Sequence, residues 1–131
     1  MCEKLKHLKN NELKIAKLLS QKILSAKELQ TILNIDKATV YRNIKNLLQK
    51  EIIREIKNSK GVGFYEINCK THNPIHPHFE CVICKKIYCL RELKSEDVLS
   101  LANYSPFEIK EIEIKFKGIC NECKKTDSSN N

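Results

Sequence analysis

The sequence predicts a mixed α/β chain (α+β in layout). A winged helix-turn-helix comes first, and a small α/β module with a four-cysteine zinc site follows. Three observations predict it. Apolar residues recur at helical spacing up to residue 48 and at strand spacing after 52. The excess positive charge lies wholly in the first half of the chain. Two Cys-x-x-Cys pairs lie in the second half, with 35 residues between Cys84 and Cys120.

Each element has a local reason. Leu13, Ile15, Ala16, Leu18 and Leu19 predict a helix over roughly 11–21. Ser25-Ala26-Lys27-Glu28 is a capping box that opens a second helix carrying Leu29, Ile32 and Leu33. Asn34-Ile35-Asp36 is a short polar break. A third helix follows Asp36, with Val40, Ile44, Leu47 and Leu48 at i, i+4, i+7 and i+8. The period then changes. Residues 52–56 read as a strand, Asn58-Ser59-Lys60-Gly61 as a turn, and 62–67 as the returning strand. Beyond 70–77, with Pro74 and Pro77, come strands near 78–83 and 86–91, a helix near 95–103 and a strand near 107–117. The expected domains are 1–69, a DNA-binding winged helix; 70–77, a linker; 78–124, a metal-binding module; and 125–131, a disordered tail.

Composition narrows the function. At 131 residues, 31% charged and 41% apolar, the chain is globular and too short for a large multidomain enzyme. No apolar run reaches about 18 residues, so no membrane span is expected, and the start lacks an apolar signal core. A cytoplasmic location follows as the expectation, and there seven cysteines suit metal ligation or thiol chemistry better than disulfides. Residues 1–70 hold 15 Lys+Arg against 7 Asp+Glu, whereas 71–131 hold 9 of each. The basic half suits a polyanion, although a solvated lysine-rich surface gives the same count.

The third helix would turn Lys37, Thr39, Tyr41, Arg42, Asn43, Lys45 and Asn46 away from its apolar stripe. Arg grips the edge of guanine, Asn that of adenine, Tyr and Thr meet thymine methyls, and Lys neutralises phosphate. An ordinary amphipathic helix with a polar outer face carries the same pattern. The wing and the local charge favour double-stranded DNA.

Cys81, Cys84, Cys120 and Cys123 form two knuckles, each presenting two thiolates from a tight turn. Two such knuckles close one tetrahedral structural zinc site per chain. A redox Cys-x-x-Cys is the rival, and it explains two knuckles less well. His76 and His78 would share one strand face while Cys81 points to the other. The histidines therefore suit a second metal, for which the mixed His/Cys set with Cys89 and Cys69 favours zinc over magnesium, calcium or manganese. His78-Phe79-Glu80 beside Cys81-x-x-Cys84 brushes against the zinc-deaminase signature, but one short strand cannot wrap all three ligands around one ion.

Three runs carry a family resemblance: 38–44, Ala-Thr-Val-Tyr-Arg-Asn-Ile; 76–84, His-Pro-His-Phe-Glu-Cys-Val-Ile-Cys; and 118–123, Gly-Ile-Cys-Asn-Glu-Cys. They resemble, in the same order, the recognition helix and metal motifs of the ferric uptake regulator (Fur) family, with features of its zinc-sensing branch. The resemblance implies a homodimeric metalloregulator whose winged helix binds a palindromic operator and whose second domain dimerises. It implies DNA contacts from Tyr41 and Arg42, and structural zinc on the four knuckle cysteines. It also implies a sensory metal at the hinge, held by Glu66 or Cys69, His76 and His78, and Cys89. Departures are visible. Ile23 stands where the family often has a hinge histidine, Ile112 where a further site has one, and Cys89 where a carboxylate is usual. Thiols in place of oxygen ligands move the second site from iron towards zinc. The reading is a zinc-responsive repressor of metal uptake genes. A thiol/peroxide-sensing or iron-responsive regulator, a zinc-dependent enzyme and a structural zinc module are the alternatives.

Overall fold

The computed structural model describes residues 3–69, 76–110 and 112–129, the last four of these for the backbone alone. The chain divides into two compact units, Met1–Pro74 and Ile75–Asn131.

In the first unit a 3-10 turn (Glu3–Leu5) precedes α1 (Asn10–Leu19), β1 (Leu24–Ser25), α2 (Ala26–Leu33), α3 (Lys37–Gln49), β2 (Ile53–Lys57) and β3 (Gly63–Ile67). Both halves of the capping box form. Glu28 N–H donates to Ser25 Oγ at 3.2 Å, and Ser25 N–H donates to Glu28 Oε1 at 3.0 Å. Asn34 then takes a left-handed conformation that ends α2, and Asp36 caps α3. Ile15, Leu19, Leu29, Val40, Ile44 and Leu47 converge in one core. Ile32, on the apolar pattern of α2, is 47% exposed, so the core takes a narrower stripe than the spacing implies.

The sheet runs β1-β3-β2, all antiparallel. The two-residue β1 was not legible as a strand; it exists because Leu24 and Ser25 pair with Tyr65 and Phe64. The wing turn is built by Asn58, whose Oδ1 accepts from Lys60 N–H and Val62 N–H, with Gly61 at φ +80°. At Gly63 a side chain would collide with the Glu55 carboxylate and the Tyr65 hydroxyl, which hydrogen-bond each other at 2.8 Å.

The second unit holds β4 (His78–Cys81), β5 (Ile87–Cys89), α4 (Ser95–Ala102), β6 (Lys115–Gly118) and α5 (Asn121–Ser129). β4 is central, with β5 antiparallel on one side and β6 parallel on the other. Three boundaries differ from the sequence reading. β4 stops at Cys81 because Lys85, at φ +65°, turns the chain back and Cys81 N–H bonds Lys86 C=O. The strand expected over 107–117 is reduced to Lys115–Gly118. Among the described residues its pairing with β4 begins at His78, whose N–H donates to Ile114 C=O, and Pro77 before it has no N–H to extend the ladder. The chain is helical up to Ser129, where an irregular tail from 125 was expected, because the second knuckle launches α5 through Lys124 N–H to Cys120 C=O. Of the expected linker, 70–75 lies outside the described residues.

The core of this unit is small. Ile87, Cys81, Cys120 and Pro77 are buried, while Leu99, Tyr104 and Phe107 are 66%, 88% and 79% exposed. A unit with so few buried apolar groups depends on a staple or a partner.

Candidate metal centres and nucleic-acid face

The parallel pairing of β4 with β6 sets Cys81 opposite Gly118, two residues before Cys120. Gly118 fits because a Cβ there would press on the Phe79 ring at 3.1 Å. Val82 N–H donates to Gly118 C=O at 2.8 Å and locks the first knuckle against the second. As a result the Sγ atoms of Cys81, Cys84, Cys120 and Cys123 all lie within 4.8 Å of one another. Tetrahedral zinc with Zn–S bonds of about 2.3 Å requires sulfurs roughly 3.8 Å apart. Cys84 and Cys120 are 3.9 Å apart, so the donor set fits that ion.

The thiols are not equivalent. The N–H of Cys120, 3.4 Å from Cys81 Sγ, is the main reason that thiol is brought down to about 6. Cys123 N–H lowers Cys120 in the same way. Burial raises Cys84, and burial with the neighbouring sulfurs pushes Cys123 up to about 12. Backbone N–H groups thus favour ionisation of Cys81 and Cys120 while burial opposes it at Cys84 and Cys123, and a bound metal would displace the protons that remain. Tyr88 is a participant that sequence reasoning missed. Its hydroxyl hydrogen-bonds the Cys120 sulfur, which lowers the thiol and raises the phenol to about 12. The available signal was alternation: Tyr88 pairs with Phe79, on the face of the sheet that carries Cys81.

The other face carries a second cluster. His78 stands directly opposite Cys89 on β5. The His76 ring lies 4.5 Å from that of His78, centroid to centroid. Ligand atoms of His76, His78 and Cys89 are within 4.8 Å of one another. Two imidazoles and an exposed thiol form a borderline-soft set suited to zinc. The remaining two expected ligands belong to the first unit. Glu66, on the central strand β3, is buried and accepts from Arg54 Nε at 2.7 Å. Cys69 is part of that unit's apolar core.

On α3, Lys37, Tyr41, Arg42 and Lys45 are exposed, and Thr39, Asn43 and Asn46 are half-buried. The Lys37 ammonium lies 5.9 Å from the Tyr41 ring. Two of the expected base readers have intrahelical partners. The Thr39 hydroxyl donates to Asp36, and Asn43 Nδ2 donates to Thr39 C=O at 2.7 Å. The Thr39 hydroxyl and then its N–H hold the Asp36 carboxyl below its usual range.

A winged helix followed by a three-stranded sheet with a thiol cluster on one face and an imidazole/thiol cluster on the other defines a two-unit, metal-binding type of winged-helix protein. The chain belongs to the ferric uptake regulator family, whose family model matches residues 5–117. It is 30% identical over 87 residues to the ferric uptake regulation protein of Bacillus subtilis, covering 66% of this chain and 58% of that protein. It is 29% identical over 92 residues to the peroxide-responsive repressor PerR of Staphylococcus epidermidis, covering 70% of this chain and 59% of that one. The chain thus spans less than two thirds of the length of these relatives. The solved ferric uptake regulator of Helicobacter pylori has the same fold, with a TM-score of 0.69, 23% identity, and coverage of 89% of this chain and 83% of that one. Members of the family are transcription regulators, not enzymes, which sets aside the zinc-enzyme alternative.

Proposed function

We propose that this protein is a zinc-responsive repressor of metal uptake genes that binds a palindromic operator in double-stranded DNA as a cytoplasmic homodimer. The observation that carries the reading is the convergence of His76, His78 and Cys89 on the face opposite the four knuckle cysteines. A closed four-thiolate site suits a permanent structural zinc, while an incomplete imidazole/thiolate set with an exposed cysteine suits an exchangeable one. Glu66 or Cys69 supplies the further ligand. A buried carboxylate with two ligand oxygens favours Glu66, whereas Cys69 already has a role as core. A metal shared with the wing would fix the two winged helices of a dimer at the half-site spacing of about 34–36 Å. The coupling for such a linkage is typically ~1–3 kcal/mol.

Exposed Lys37, Tyr41, Arg42 and Lys45 support DNA contact by α3, with Thr39 and Asn43 shaping its N-terminal half. Exposed Leu99, Tyr104 and Phe107 support pairing with a second copy. No helix of the described residues is long and apolar enough to cross a membrane.

The test is metal content and operator binding, with and without a mild chelator. Two zincs per chain should fall to one, and operator binding should fall with the second. Cys89→Ser should keep the structural zinc and lose the exchangeable one. Full zinc stoichiometry and zinc-responsive DNA binding in Cys89→Ser would sink the reading. The exposure of Cys89 also favours a second reading, a thiol-based oxidant sensor. That reading expects peroxide, rather than chelator, to release the operator.

A further inference from the structure

Glu80 has no part in either cluster, yet it is among the most deeply buried side chains of the protein, with 1% exposure. It lies two residues beyond His78 on β4 and therefore on the same face. Its strand neighbours are Ile87 on β5, fully buried, and Lys117 on β6, exposed. Lys115 stands opposite His78 itself, so the row across the sheet reads Cys89, His78, Lys115. The Lys115 ammonium turns to Glu80, with Nζ 3.3 Å from Oε1. The sheet thus places a cation beside a candidate metal ligand and a buried carboxylate that neutralises it.

We propose that the Glu80–Lys115 pair tunes the metal affinity of the His76, His78 and Cys89 cluster, a role that rests on that cluster holding the exchangeable metal. Glu80 is a positioning residue. It draws the ammonium of Lys115 away from His78 and offsets its charge, so that an arriving dication meets less positive charge beside His78. Removing the carboxylate leaves the cation facing the metal, and removing the ammonium leaves an extra negative charge there. The two substitutions must therefore move affinity in opposite directions. A charge about 10 Å from a dication in a partly screened setting changes affinity about ten-fold.

The experiment titrates zinc into the full chain, with the four-cysteine site already loaded, against a chromophoric chelator at fixed salt. Glu80→Gln should weaken the exchangeable zinc about ten-fold and Lys115→Gln should tighten it several-fold. The double variant should return to within about three-fold of the parent. A merely structural pair would weaken binding in both single variants, and that result overturns the proposal. So does an unchanged affinity in both while Cys89→Ser loses the exchangeable zinc. Retention of that zinc by Cys89→Ser instead overturns the underlying reading, and this proposal with it. If Glu80→Gln does not fold, Lys115→Gln decides alone: failure to tighten zinc overturns the proposal.

Discussion

Replacing Tyr88 by Phe isolates one hydrogen bond at the four-cysteine cluster. Tyr88 pairs with Phe79 across the sheet, their rings 6.3 Å apart, so the substitution keeps the packing and removes only the hydroxyl. What is lost is a donor to the Cys120 sulfur, one of the causes that lower that thiol. Partners of this kind around a metal ligand typically change affinity by about 10- to 100-fold. Tyr88→Phe should therefore weaken structural zinc by about that factor at neutral pH. The pH dependence has a definite sign. A thiol held below its ordinary value is charged over a wider range, and losing the donor narrows that range from the acid side. The variant's deficit should thus be larger in mild acid and shrink in alkali, where the Cys120 thiol is ionised in both proteins. Competition against a high-affinity chelator at several pH values measures it. Equal affinities within about three-fold across the series would refute Tyr88 as a partner of the metal site.

Cys81→Ser and Cys123→Ser should each give a misfolded or monomeric chain, because knuckle closure and folding of the small second unit are linked; gel filtration with zinc analysis checks this, and a folded, zinc-free dimer contradicts it. Arg42→Ala should lose ~1–3 kcal/mol of specific operator binding. A shift assay with specific and scrambled duplexes decides the role, since equal loss on both makes Arg42 a phosphate contact. Ser25→Ala removes the oxygen that accepts Glu28 N–H at the start of α2 and should cost about 1 kcal/mol in urea unfolding, within the range for such caps. An unchanged midpoint would mean that the cap contributes nothing to the folded unit.

The elements that the sequence announced most clearly are those whose signal is local. The capping box at Ser25, the apolar spacing of Val40, Ile44 and Leu47, and the Asn58–Gly61 turn each act within a few residues, and each forms as read. The knuckles were legible for the same reason. Boundaries that depend on partners were not. β1 exists only through β3, and the strand expected from 107 shortens because Pro77, just before His78, has no N–H to carry the ladder further. Thr39 and Asn43 look like base readers by type, but hydrogen bonds within the helix and its cap engage them. Tyr88 escaped notice because no motif marks it, and Glu80 was met only within a signature that was set aside. Their placement follows from cross-strand register, which only the folded sheet supplies.

The two clusters share a single four-residue strand. β4 begins with His78 and ends with Cys81, so the same backbone aims an imidazole to one side and a thiolate to the other. This wires the two sites in series. Opening the knuckles, by stripping or oxidising the sulfurs, would free one end of the strand that aligns His78 with Cys89, and should weaken the imidazole/thiol cluster without touching it. On the proposed reading, a chain that has lost its sulfur clamp would lose the exchangeable metal as well.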